Sequence, residues 1–207
     1  MAEYFSIKTS IEAELKVKGS RFIAFLCAVK TRQEAEAQLA ARARHYREAT
    51  HHCYAYRLGF DDSLVYKSSD AGEPPGTAGR PILQALEKSN LTNTLAIVTR
   101  YFGGTKLGTG GLARAYRAAT IAAIEQAQLA PAFLKQTLRL RYAYPLTAVV
   151  QKILHHLEAE TIAEVFGAEV EHTVALRASR LEEAQQQLRA TRAGKILVEL
   201  ILSQNDY

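Results

Sequence analysis

Hydrophobic and polar positions follow two regimes along this chain, and each predicts its own run of elements. In the second half, Leu138, Leu140 and Tyr142 alternate with Arg139 and Arg141, which predicts a strand with one buried face. Pro145 suits a first helical position, and Leu146, Val149, Val150, Ile153, Leu154 and Leu157 then follow at helical spacing. Short strands are expected over residues 162–166 and 173–177. Ser179 and Glu182 have the spacing of a capping box, ahead of a helix that turns Leu181, Ala184 and Leu188 inward. The run 196–202 closes as a strand. The order β-α-β-β-α-β is the ferredoxin-like arrangement.

The first half reads as three successive strands over residues 5–9, 12–17 and 21–29. Thr31 and Glu34 form another capping box and open a helix to about residue 46. Residues 52–60 are strand-like. A Gly- and Pro-rich loop, DAGEPPGTAGRP from Asp70 to Pro81, precedes a short helix over 82–88. The apolar run Leu95-Ala96-Ile97-Val98 belongs to a strand over 95–102. A glycine loop and an alanine-rich helix over 110–128 follow. The long helical pattern stops near Pro131, which divides the chain into domains 1–132 and 133–207, both α+β.

The candidate chemistry centres on TRYFGGTKLGTGGLARAY, where five of the chain's 12 glycines fall between Gly103 and Gly111. Glycine admits positive φ and close backbone approach, and N–H groups at a helix start favour a bound anion. Gly103, Gly104, Gly108, Gly110 and Gly111 would cradle phosphate, and Arg100, Lys106 and Arg114 would neutralise it. Tyr101 or Phe102 offers a ring for base stacking. The competing account is a tight turn with close helix–sheet packing and solvated arginines. The loop is neither GxGxxG nor a Walker A sequence.

Secondary candidates are Asp70 and Glu73, as base or metal ligands with Thr77 and Arg80 nearby, although a rigid Pro/Gly turn capped by acids explains this loop more simply. Two carboxylates do not complete a metal site, and no metal or cofactor is called for. In His51-His52-Cys53, neighbouring histidines point to opposite faces of a strand and cannot chelate one ion; His52 is retained as a secondary candidate. Arg21, beside the turn Lys18-Gly19-Ser20, is counted with the basic surface. The second domain shares its element order with RNA-recognition folds. HTVALRA lacks an aromatic, however, and Tyr142 shares a face with Leu138 and Leu140, against direct base stacking.

Composition adds limits. At 207 residues, 48% hydrophobic and 23% charged, the chain has the make-up of a globular protein. No apolar run reaches membrane-spanning length, and the opening MAEYFSIKTSIEAELK does not fit a signal peptide, so a cytoplasmic location without membrane partners is expected. Cys27 and Cys53 imply neither a disulfide framework nor zinc. Residues 1–133 hold 17 Lys and Arg against 12 Asp and Glu, and the remainder nine against nine, so the whole +5 excess lies in the first domain. A basic domain attracts nucleic acid or ribosomal surfaces, though simple solubility charge accounts for it equally.

DAGEPPGTAGRP, the VTRYFGGTKLGTGGLARAY block, KGSRF and HHCYAYR together resemble the IMPACT family in its bacterial two-domain YigZ form. The resemblance covers about the first 130 residues and implies a fold of the ribosomal protein S5 domain 2 type. The tail resembles the last domain of translation elongation factor G. Eukaryotic members regulate translation by competing for an activator of an initiation-factor kinase, using an extra N-terminal domain. This sequence opens on the shared domain, and that partnership is not expected to transfer. Some members carry a proline-dipeptidase label, for which the sequence supplies no metal-ligand set. The expectation is a translation-associated regulator that binds RNA or the ribosome through its first domain. An enzyme acting on a phosphorylated small molecule or nucleotide, and a protein-interaction module, are the alternatives.

Overall fold

A computed structural model describes residues 4–191 and 195–201 and divides after Ala132 into two units of mixed α and β structure. In chain order the first unit contains β1 (Tyr4–Ile7), β2 (Ile11–Val17), β3 (Ser20–Ala28), α1 (Arg32–His45), β4 (His51–Leu58), β5 (Val65–Ser69), α2 (Gly79–Lys88), β6 (Thr94–Tyr101), α3 (Gly108–Gln126) and β7 (Leu129–Ala132). Five strands form an antiparallel sheet in the order β2-β3-β6-β4-β5, and β1 pairs separately with β7.

The central strand β6 is buried along nearly its whole length, which is why it reads as an unbroken apolar run rather than an alternation. On one face Phe22, Leu26, Ala55 and Val98 pack with Ile82 and Leu86 of α2 and Leu112 and Tyr116 of α3. On the other, Cys27, Tyr56, Leu58, Leu95 and Ile97 pack with Ala35 and Leu39 of α1. Thr31 caps α1 as expected, its Oγ1 accepting from the Glu34 N–H at 3.1 Å. The Glu34 carboxylate reaches back to the Lys30 N–H at 2.6 Å, one residue beyond the standard box.

Two strands escape the hydrophobic pattern. β5 is an edge strand that exposes Val65 and Tyr66, and β7 carries Pro131 in a two-stranded pair, where a missing N–H is tolerated. Lys18 (φ 46°) and Gly19 (φ 81°) connect Val17 to Ser20 as a two-residue hairpin turn with both central residues left-handed.

The second unit contains β8 (Lys135–Tyr142), α4 (Thr147–His156), β9 (Glu160–Phe166), β10 (Val170–Arg177), α5 (Leu181–Arg189) and β11 (Leu197–Ile201). The sheet order is β11-β8-β10-β9, all antiparallel. Leu138, Leu140 and Tyr142 pack with Val150 and Leu154 of α4 and Ala184 and Leu188 of α5. Pro145 sits in a 3-10 turn, Tyr144–Leu146, that precedes α4, and Val149 is exposed rather than inward. The Ser179–Glu182 box is not formed. Ser179 lies inside a second 3-10 turn, Ala178–Arg180, and Arg180 takes the cap position of α5 without a side-chain bond. Residue 202 of the last predicted strand lies outside the described residues.

Candidate functional site

The glycine loop joins β6 to α3, and its glycines divide into three groups. A Cβ on Gly103 would stand 1.9 Å from the Gly19 carbonyl carbon, so the loop lies directly on the β2–β3 hairpin turn. The Gly103 N–H donates to Ser20 Oγ at 3.1 Å and the Phe102 N–H to Thr50 Oγ1 at 3.2 Å. Gly103 therefore serves packing rather than a cradle. Gly104 (φ 85°) and Gly108 (φ 69°) hold left-handed backbone with open space around them. Gly110 and Gly111 lie in the first turn of α3 and need no such conformation.

α3 opens without a side-chain cap, because Leu107 occupies the cap position. Leading N–H groups of a helix have no partner within it, and no side chain among the described residues replaces one here. Lys106 is exposed, and Arg114 folds back so that Nη1 lies 3.5 Å from where a Cβ on Gly110 would stand. Neither cation belongs to an ion pair among the described residues.

Arg100 behaves differently from the sequence expectation. Only 5% exposed, it donates from Nη1 to Glu73 Oε1 at 2.6 Å and from Nη2 to Ser20 Oγ at 3.4 Å. Tyr116 donates its hydroxyl to the same Glu73 oxygen at 2.7 Å. His51 Nε2 lies 3.9 Å from the other carboxylate oxygen. Because a carbonyl only accepts, His51 Nδ1 carries the proton it gives to Ala71 O at 2.9 Å. The guanidinium thus compensates an internal carboxylate, and its Nε is unpartnered among the described residues.

Between this pair and the glycine loop lies a cavity of about 280 Å³. Glu73 and Pro74 come from the first loop, and Arg100, Phe102, Lys106, Leu107, Gly108, Thr109 and Leu112 from the second. Both sequence-singled loops therefore line one concavity. Phe102, 48% exposed, is the ring beside it. Its alternate, Tyr101, faces the α1 side of the sheet, where Arg21 lies 5.4 Å over its ring and Tyr46 meets it edge-on at 6.5 Å. Arg21 itself pairs with Glu14 at 2.7 Å. Strand alternation places both away from the cavity.

His52 also belongs to the α1 side, with Nδ1 3.1 Å from Thr99 Oγ1 and burial holding its pKa below the ordinary value. Asp70 is a loop clamp. Its carboxylate accepts from the N–H groups of Gly76, Ala78 and Gly79 at 2.8–2.9 Å. Burial works to raise its pKa, but those three donors outweigh it and the net shift is downward. Thr77 Oγ1 donates to Pro74 O at 2.7 Å and closes the same loop. Cys53 donates to Asp70 O at 2.9 Å, and burial pushes its thiol up to about 12, so it is no thiolate nucleophile at neutral pH. No cluster of three or more His, Cys, Asp or Glu suited to a metal occurs among the described residues. Ser20 and Tyr116 were outside the sequence reading of the site; a buried Arg on β6 was the signal that such partners had to exist.

The class follows from fold and site together: a mixed α/β protein whose glycine loop sets a helix N-terminus over an apolar cleft floored by a buried ion pair. The Impact N-terminal domain model matches residues 18–124. An IMPACT family member from Haemophilus influenzae is 33% identical over 202 residues, 97% of this chain and 98% of that one. YvyE of Bacillus subtilis, an IMPACT family member, is 49% identical over 113 residues; the match spans 55% of this chain and about half, 52%, of that protein. A solved structure described as a hypothetical protein superposes with a TM-score of 0.69 at 30% identity, covering 99% of each chain. The chain belongs to the IMPACT family.

Proposed function

We propose that this protein is a cytoplasmic, translation-associated regulator that binds RNA or the ribosome through its first unit. The observation that carries the reading is the pairing of an uncapped α3 N-terminus with Lys106 and Arg114, neither compensated by a carboxylate among the described residues. A helix N-terminus disfavours nearby cations; an RNA phosphate seated there relieves that repulsion and takes up both charges. Concentration of the +5 excess in the first unit supports the same partner, as does the family's association with translation. The reading places an S5 domain 2-type fold in the first unit and a ferredoxin-like one in the second, where the β-α-β-β-α-β order and the β11-β8-β10-β9 sheet support it.

The test is equilibrium binding of single-stranded RNA, with ribosome co-sedimentation alongside, across a salt series. Each phosphate contact contributes about 0.7 to the logarithmic salt slope on single strands. Lys106→Ala with Arg114→Ala should weaken binding and flatten the slope by roughly 1.4. RNA affinity that is indifferent to salt, or unchanged in the double variant, removes the reading. The cavity joining both loops favours a second reading, turnover of a phosphorylated small molecule, which product analysis with sugar phosphates and nucleotides would detect.

A further inference from the structure

Beyond surface contact with an RNA strand, we infer that the cavity between the two loops is a binding site for one nucleoside monophosphate, free or as the phosphorylated end of an RNA. Four observations converge on that ligand. At about 280 Å³ the space lies just under the usual range for small-molecule sites, which begins near about 300 Å³, so it takes a single small unit. Glu73 and Arg100 cancel, and Lys106 leaves the lining with one positive charge. The α3 N-terminus, opening at the lining residues Gly108 and Thr109, adds partial positive charge. The rest of the lining is apolar: Pro74, Phe102, Leu107 and Leu112.

A phosphate alone leaves those walls wet, and a nucleoside alone leaves the cations and N–H groups unmatched. A flat ring joined to a phosphate satisfies both halves. The phosphate sits on the Gly108–Thr109 backbone beside Lys106, and the base lies along Phe102 and Pro74. Arg100, more than nine-tenths buried and held by Glu73 and Ser20, is a fixed part of the cavity wall, so Lys106 is the lining cation left for the phosphate.

The experiment is calorimetric titration of the full chain with adenosine 5′-monophosphate, adenosine and inorganic phosphate. The monophosphate should bind at least about tenfold more tightly than either fragment. Thr109→Glu places a carboxylate in the first turn of α3, which favours the helix while opposing the ligand phosphate. Its melting temperature should match or exceed the parent's, and monophosphate binding should fall by about tenfold or more. Phe102→Ala, an exposed position, should weaken the monophosphate but leave inorganic phosphate unchanged. A short RNA with a 5′-phosphate that outbinds its 5′-hydroxyl twin and is displaced by the monophosphate identifies an RNA end; monophosphate binding without such displacement identifies the free nucleotide. No binding of the monophosphate, or equal binding by the folded Thr109→Glu variant, overturns the site. Salt-sensitive RNA binding in that case leaves the proposed function standing, and monophosphate binding without RNA binding removes only the latter.

Discussion

Replacing Glu73 with alanine should destabilise the first unit more than any exposed substitution near the cavity. The carboxylate is 4% exposed in its side chain and Arg100 is 6% exposed, so the guanidinium would be left charged and dry. Removing one partner of a buried pair costs about 3–5 kcal/mol. The Tyr116 hydroxyl loses its acceptor as well, and an unmet buried donor costs about 1–3 kcal/mol, partly overlapping the first figure. A unit of this size shifts its melting temperature by roughly 4 °C per kcal/mol, which gives a fall of about 12–20 °C. The assay is thermal unfolding followed by hydrogen exchange of β3 and β6 peptides, because two units need not melt together. The decisive control is Glu73→Ala with Arg100→Met. Removing both charges leaves no orphan, and the double variant should be more stable than Glu73→Ala alone. A double variant less stable than that single one, or a single-variant fall below about 3 °C, would refute the claim that Glu73 exists to hold Arg100.

The remaining predictions concern the loops on either side of the pair. Gly103→Ala should unfold or strongly destabilise the first unit, because its Cβ has no room against Gly19, whereas Gly110→Ala meets nothing nearer than 3.5 Å and should be neutral or stabilising by up to about 1 kcal/mol in denaturant titration. Lys106→Ala with Arg114→Ala should leave stability within about 0.5 kcal/mol of the parent while RNA affinity falls. Asp70 is depressed from its ordinary 3.8 in the folded state; its stabilisation is present above that value and is lost as pH falls through the lower folded one. The protection factors of the Gly76, Ala78 and Gly79 amides, measured against the intrinsic exchange rate at each pH, should therefore fall on acidification below about pH 4. Asp70→Asn should abolish that pH step at a cost of about 1 kcal/mol for the lost Gly76 bond, since the amide presents a donor to a donor.

What the sequence disclosed and what it hid follow from how each element is covered. Strands and helices with one buried face announced themselves: Leu138, Leu140 and Tyr142 on β8, and Val150 and Leu154 on α4, alternate or recur because only one side meets the core. β5 was silent because it buries almost nothing, and β7 because Pro131 reads as a break when it sits on a pair with spare edges. The Ser179 box failed for a related reason, a 3-10 turn that moved the helix cap one residue onward, to Arg180. The two loops that line the cavity were legible as composition, since Gly104 and Gly108 need left-handed backbone that other residues avoid. Their meeting was not, because 27 residues separate Glu73 from Arg100 and no local period encodes a contact across that distance.

Parity along β4 and β6 decides the rest of the site. Alternation tells that His51 and His52 face opposite ways, and likewise Arg100 and Tyr101, but both faces of this sheet are covered, so burial in the sequence does not reveal which face holds the loops. The structure resolves the ambiguity through Phe22, which packs edge-on against Tyr116 at 5.1 Å and lies 5.4 Å from the Arg100 guanidinium. His51, Cys53 and Arg100 share that side with Glu73; His52, Thr99 and Tyr101 share the other with α1. The cations the sequence grouped as one basic surface thereby separate into three kinds. Arg100 is internal, Arg21 is paired beyond the sheet, and Lys106 and Arg114 remain at the loop. Of these four, only the last pair has no carboxylate partner among the described residues and so has charge to offer an outside anion at the loop, which is why the binding reading rests on two residues and an uncapped helix rather than on the whole excess of the first unit.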